Sequence, residues 1–174
     1  MKTVFNRGVA VAVIHVALVA GLGGKLLFDR STRPRVWART APVDPDLPIR
    51  GRYVSLRIEA DIMPGSDFDA QPNSTTEGRF RTYPVALSAR DGRLVASPAA
   101  GGAVRGRPVM RDGQRVIVLD EPVAYFIPEH ATDPSRLSPG EELWAEVTLP
   151  RAGPPRPIQL GIKRAGQLAP LALE

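Results

Sequence analysis

Two hydrophobic patterns divide this chain. From Gly8 to Gly24 the run "GVAVAVIHVALVAGLGG" is apolar throughout except for His15, and "LLF" carries it to Phe28 when the stem of Lys25 lies along the apolar surface. About 20 such residues suffice to cross a bilayer as a helix. Beyond Tyr53 the period changes to two. In "YVSLRIEADI" Val54, Leu56, Ile58 and Ala60 share one face of a strand while Ser55, Arg57 and Glu59 point the other way. "RFRTYPVALSAR" alternates likewise through Tyr83, Val85, Leu87 and Ala89.

Turn chemistry separates the remaining strands. Asp91-Gly92 and Asp112-Gly113 are hairpin signals, because both central positions of the favoured tight turn need positive φ. "EPVAYFIPEH" reads as a short strand stopped by Pro128, and "ELWAEVTLP", "RPIQLGIKR" and "GQLAPLAL" follow, the last two joined at Ala165-Gly166. "MPGSDFDAQPNSTTEG" reads as an exposed loop, residues 63–78.

All 18 prolines lie at or beyond Pro34, which argues against long helices there. The expected fold is mainly β: an N-terminal transmembrane helix followed by one compact antiparallel β sandwich or partly open barrel of about seven or eight short strands. The expected organisation is a tail at 1–7, an anchor at 8–28, a basic then Pro-rich juxtamembrane spacer at 29–50, and an all-β domain at 51–174. Gly51 would let the chain turn from spacer into sheet.

Charge sharpens this division. Residues 1–39 carry Lys2, Arg7, Lys25, Arg30, Arg33, Arg35 and Arg39 against Asp29 alone, a net of +6, whereas the remaining 16 basic and 17 acidic residues give −1. The basic excess thus flanks the apolar run and suits anionic headgroups. Without a basic face on the domain, nucleic acid is not an expected partner. An uncleaved anchor is favoured over a cleaved signal peptide, since no small-x-small cleavage site stands out. The expected location is therefore the cell membrane, single-pass. Basic flanks argue for a cytoplasmic domain. The short signal-anchor start, and the ease with which long downstream domains translocate, argue for an extracytoplasmic one, which is preferred here. His15 reads either as a functional intramembrane group or as a neutral imidazole with a local partner.

Candidate chemistry is sparse. The chain has no cysteine and only two histidines, so neither a metal nor any other cofactor is expected. The acidic loop lacks the glycine and terminal glutamate of a calcium hand. His130 with Ser135 or Ser138 and Asp133 lacks a nucleophile elbow. Lys163, the only lysine beyond Lys25, invites a serine-lysine dyad but equally suits an exposed strand face. Glu129 and His130, adjacent at a strand end, could do acid-base work or bind a partner, or could simply close a strand.

At "RGRYVSLRI" the chain resembles the GDYXXLXY protein family. Gly51, Tyr53 and Leu56 match the motif, while Arg52 stands at its Asp and Ile58 at its final Tyr. "APVDPDLPIRG" is similar to the family's Pro- and Asp-bearing lead-in, and "AYFIPEH" to a later aromatic-Pro-Glu segment. The resemblance implies a bacterial membrane-associated protein of unknown activity, with a multi-pass membrane protein as a possible partner. It directs attention to Asp44, Arg50, Gly51, Tyr53, Leu56, Pro128 and Glu129. Gly51 and Leu56 read as turn and core. An Arg50–Glu129 pair beside Tyr53, with His130 adjacent, is the sharpest expected site. The leading functional expectation is a non-enzymatic accessory or interaction subunit of a membrane complex. The alternatives are a membrane-anchored hydrolase using Ser-Lys or Glu-His chemistry, and a binder of a small ligand or envelope polymer.

Overall fold

A computed structural model describes residues 2–43, 52–68, 75–77 and 80–173. It comprises two compact units, residues 1–33 and 34–174. The first is a single helix, α1 (Lys2–Thr32). Its stretch Gly8–Lys25 has mean hydropathy 1.8 and none of it is covered by protein. This one helix is long and apolar enough to cross a membrane. His15 is satisfied locally, its Nδ1 lying 2.8 Å from the Val11 carbonyl, so the imidazole needs no distant partner. At the other end Ser31 and Thr32 hydroxyls both donate to the Phe28 carbonyl, at 3.0 and 2.7 Å, and Pro34 follows. Hydroxyls bonding back to the chain and a proline beyond them are ordinary helix terminators.

The second unit is mainly β, as the two-residue alternation predicts, and consists of a closed six-strand barrel with additional strands. The barrel strands are β1 (Arg35–Val43), β2 (Tyr53–Ile62), β4 (Phe80–Arg90), β5 (Arg93–Pro98), β6 (Val104–Arg111) and β7 (Gln114–Leu119). They run β1-β2-β7-β6-β4-β5 around the ring. β5 completes it by parallel pairing, Trp37 with Arg93 on β1 and Asp61 with Val95 on β2. β9 (Glu141–Thr148) extends the sheet from the other edge of β1, followed by β10 (Arg156–Arg164) and β11 (Gln167–Pro170). β8 (Val123–Phe126) pairs with β2, and β3 (Thr75–Glu77) with β4.

One side of the alternation fills the interior. Leu56, Ile58 and Ala60 from β2 meet Tyr83 and Val85 from β4, Leu94 and Ala96 from β5, and Ile117 and Leu119 from β7, all nearly inaccessible. Leu143, Ala145 and Val147 of β9 and Leu160 of β10 extend the same core. Each buried Leu, Ile or Val among them contributes roughly 1.5–3 kcal/mol. The three hairpin turns have the conformations their residues favour: Asp91, Asp112 and Ala165 adopt φ near +50°, and each precedes a glycine at positive φ.

Two boundaries differ from the sequence expectation. Residues 29–50 do not form a spacer throughout: α1 continues to Thr32 and β1 is a barrel strand, so the β unit begins at Pro34 rather than at residue 51. The reason is visible in "RVWARTAPV", where Val36, Ala38 and Thr40 are buried on alternate positions although arginines and a proline surround them. The segment 63–78 is not simply an exposed loop either. It includes β3, and Phe68 is buried in the core with its ring edge-on to Tyr83 at 5.8 Å. Aromatic burial outweighs the polar character of its neighbours.

Candidate functional site

The face of these strands turned away from the core carries a concentration of charge. On β1 the alternation that buries Val36, Ala38 and Thr40 presents Trp37 and Arg39 on the opposite side. On β2 the same rule presents Glu59 and Asp61, and on β9 it presents Glu142 and Trp144. Register then gathers them: Arg39 lies opposite Trp144, Lys163 opposite Glu142, and Trp37 beside Arg93. The β6–β7 hairpin brings Arg111 and Asp112 over this surface. A cavity of 270 Å³ results, lined by all of these groups.

Arg39 is the hub. Its Nη1 is 2.5 Å from an Asp112 oxygen, its Nη2 3.2 Å from Glu142, and its Nε 3.9 Å from Glu59. Burial disfavours its charge, but the Asp112 hydrogen bond and the surrounding carboxylates outweigh that and raise its pKa further. Asp112 is pulled below its ordinary value, chiefly by the hydrogen bond from Arg39. Glu142 also accepts a hydrogen bond from the Trp144 indole at 2.9 Å. Arg93 grips Asp61 through Nε at 3.0 Å. The Trp144 ring lies under two cations, the Lys163 ammonium at 4.9 Å and the Arg93 guanidinium at 5.7 Å.

Glu59 is the unusual member. Its side chain is only 3% exposed. Arg111 donates to Oε1 twice, from Nη2 at 2.7 Å and Nε at 3.2 Å. Oε2, the atom 3.9 Å from the Arg39 Nε, is buried and accepts no hydrogen bond among the described residues. A buried carboxylate oxygen without a donor is costly and uncommon. Trp37 is set against β10 by a local absence of side chain: a Cβ on Gly161 would come within 2.8 Å of the Trp37 ring.

The residues singled out from sequence lie elsewhere. Asp44, Arg50 and Gly51 fall outside the described residues, and with them the Arg50–Glu129 pairing. Leu56 is core, as expected. Tyr53 pairs with Phe126 across β2 and β8, their rings 6.1 Å apart. Pro128, Glu129 and His130 are exposed in the turn after β8. That turn is held by Arg52, whose Nη1 donates to the backbone carbonyls of Glu129 and, at 2.9 Å, Ala131. Arg52 therefore fastens the start of β2 to the turn after β8. This cluster lies about 20 Å from Glu59 along β2, at 3.3 Å per residue.

The Ser135 hydroxyl donates to Asp133 at 2.7 Å, and its backbone N–H to the same oxygen at 2.9 Å, closing a turn and lowering the Asp133 pKa. Lys163 reaches the cavity, and among the described residues that line it there is no serine. Among the described residues no cluster suits a metal ion. Sequence reasoning placed Glu59 on the polar face of β2 without singling it out. The available signal was an acidic residue flanked by core positions on both sides, Ile58 and Ala60. The remainder of the site depends on β1, which was assigned to the spacer. No family model matches the chain, and no curated protein or solved structure is similar to it.

Proposed function

We propose that this protein is a single-pass membrane-tethered recognition subunit without catalytic activity, an accessory to a multi-pass membrane protein. The observation that carries the reading is α1: an apolar helix with no protein cover, joined to a separately packed β unit. Such a helix suits lipid or the company of other membrane helices. The GDYXXLXY resemblance supports the same reading through Gly51, Tyr53 and Leu56. An extracytoplasmic barrel belongs to this proposal.

The test is extraction of a tagged full-length chain at native expression, followed by identification of co-purifying proteins by mass spectrometry. A stoichiometric multi-pass partner is the expected result. A protein that purifies alone from membranes removes the accessory role.

A second reading, recognition of a small ligand by the barrel unit, is favoured by the cavity around Glu59. An ordinary charged surface would leave its carboxylates in water. Here one is buried with an oxygen that accepts no hydrogen bond among the described residues. Hydrolysis by Ser-Lys or Glu-His chemistry lacks comparable support, since Lys163 lines a cavity without serine and both Glu129 and His130 are exposed.

A further inference from the structure

We infer that the end of the β unit where β1 begins binds the headgroups of anionic lipids, through Arg151 and Arg156 beside Arg35. The inference deepens the membrane-tethered reading and rests on it. Three observations carry it.

First, the chain link limits how far this end can be from a bilayer. Phe28, the last residue of the apolar run, precedes Thr32 by about 6 Å of helix. Only Arg33 separates Thr32 from Pro34, the first residue of the β unit, a step of at most about 8 Å whatever the orientation of the two units. With α1 across the bilayer as far as Phe28, Pro34 is held in the headgroup layer or within about 10 Å of it. That distance is close to the range of charge interactions at ordinary salt.

Second, strand pairing brings a basic segment from far along the chain to the same place. The Leu149 amide donates to the Pro34 carbonyl at 3.3 Å. Thr148 lies opposite Arg35 on one side and Arg156 on the other, so these arginines stand two strand spacings apart, roughly 10 Å. Arg151 belongs to the loop between β9 and β10. All three arginines are exposed.

Third, this segment has no acid to neutralise it. "LPRAGPPR", residues 149–156, holds two arginines and no carboxylate. Neither Arg151 nor Arg156 forms an ion pair among the described residues. Arg151 also borders a groove of 390 Å³, and it is the only charged group among the described residues lining it. The cavity around Glu59 is the opposite case, since Arg39, Arg93 and Arg111 there all meet carboxylates. A guanidinium without a protein partner suits a phosphate oxygen, and a surface of net negative lipids favours it further. The expected gain is about fivefold for each such arginine. So small a gain does not hold a protein at a membrane by itself. It counts because α1 keeps the loop close to the surface.

A chain without cysteine makes the test direct. A fluorophore is attached to the full chain through Ala152→Cys in the basic loop, or through Gln167→Cys in the turn after β10. The second position pairs with Arg164, about 26 Å along β10 from Arg156. Each labelled chain is placed in nanodiscs of phosphatidylcholine, pure or mixed with phosphatidylglycerol, containing a trace of lipid with a quencher on its headgroup. The ratio of quenched to unquenched lifetime components is read. For the Ala152 position it should be about 25-fold higher in mixed discs, the product of two fivefold gains. Arg151→Gln and Arg156→Gln should each lower it about fivefold, and together they should bring it to the phosphatidylcholine value. Raising the salt to about 1 M, where screening acts over roughly 3 Å, should do the same to the unsubstituted chain. The Gln167 position should show no dependence on lipid. Equal ratios in both kinds of disc overturn the inference. So does a lipid dependence that survives the double substitution in a chain with unchanged circular dichroism, or one that is equal at both label positions. A chain that does not co-elute with the discs removes the tethered reading and this inference with it. Co-elution without lipid-dependent quenching removes this inference alone.

Discussion

Glu59 and Arg111 illustrate how a single strand position acquires a role. Glu59 lies on the polar face of β2, yet charged neighbours cover it so fully that it behaves as a buried group. Arg111→Ala removes both donors from Oε1 and leaves Arg39 as the nearest cation. The expected loss is about 1–3 kcal/mol, the usual cost of a stranded buried acceptor, read from urea unfolding of variant and wild type. Asp133 permits a prediction with the opposite exposure. Its pKa lies below the ordinary 3.8 because Ser135 donates to it through hydroxyl and backbone. A depressed folded-state value means that its contribution is complete above 3.8 and disappears as pH falls through the folded value. Asp133→Asn should therefore lower the melting temperature at neutral pH, and the difference from wild type should shrink to nothing in strong acid. A difference that persists or grows on acidification would contradict this assignment. At this scale the sequence was partly legible. The core row of β2 and the three Asp-Gly or Ala-Gly turns follow from period and φ preference alone. What was not legible is which outward carboxylate becomes buried, since that depends on which strands lie beside it.

Among elements, β1 shows where a local reading stops. "RVWARTAPV" is interrupted by arginines and leads into a proline-rich stretch, so it reads locally as a spacer. Its place in the sheet is decided by β2 on one side and β9 on the other, segments distant in sequence. The parallel closure by β5 was equally hidden: hairpin signals announce antiparallel neighbours, and nothing in them marks a strand that lies parallel to β1 and β2. The mutual packing of β1 and β10 yields a prediction. In Gly161→Ala the new Cβ would be 2.8 Å from the Trp37 ring and 2.9 Å from the Ala169 carbonyl, so the ring must move. The expected outcome is destabilisation of about 1–3 kcal/mol, typical of an overpacked site, together with a changed tryptophan fluorescence maximum. An unchanged spectrum with full stability would mean that Trp37 does not rest on this strand.

For the whole molecule, the two compact units imply separable properties. Deleting residues 1–33 should move the protein from the membrane pellet to the soluble fraction while circular dichroism retains its β signature. A truncated chain that still sediments with membranes would indicate a second means of attachment in the barrel. At this level the plan of one apolar helix followed by a β unit follows from the change of hydrophobic period. The number of strands and the closure of the ring do not, because both rest on pairings between segments far apart in the chain.

The place of β1 also bears on how the protein is made. Arg35 to Arg39 emerge early in synthesis, directly behind the apolar helix, yet their partners on β9 are Trp144 to Thr148. Until that late segment arrives, one edge of β1 has no strand to bond, and the Val36–Ala38 face lacks part of its cover. Contacts of such sequence separation form slowly, since the intervening chain must be closed into a loop first. A nascent chain halted before residue 141 should therefore remain protease-sensitive at β1, and protection should appear abruptly once β9 has cleared the ribosome.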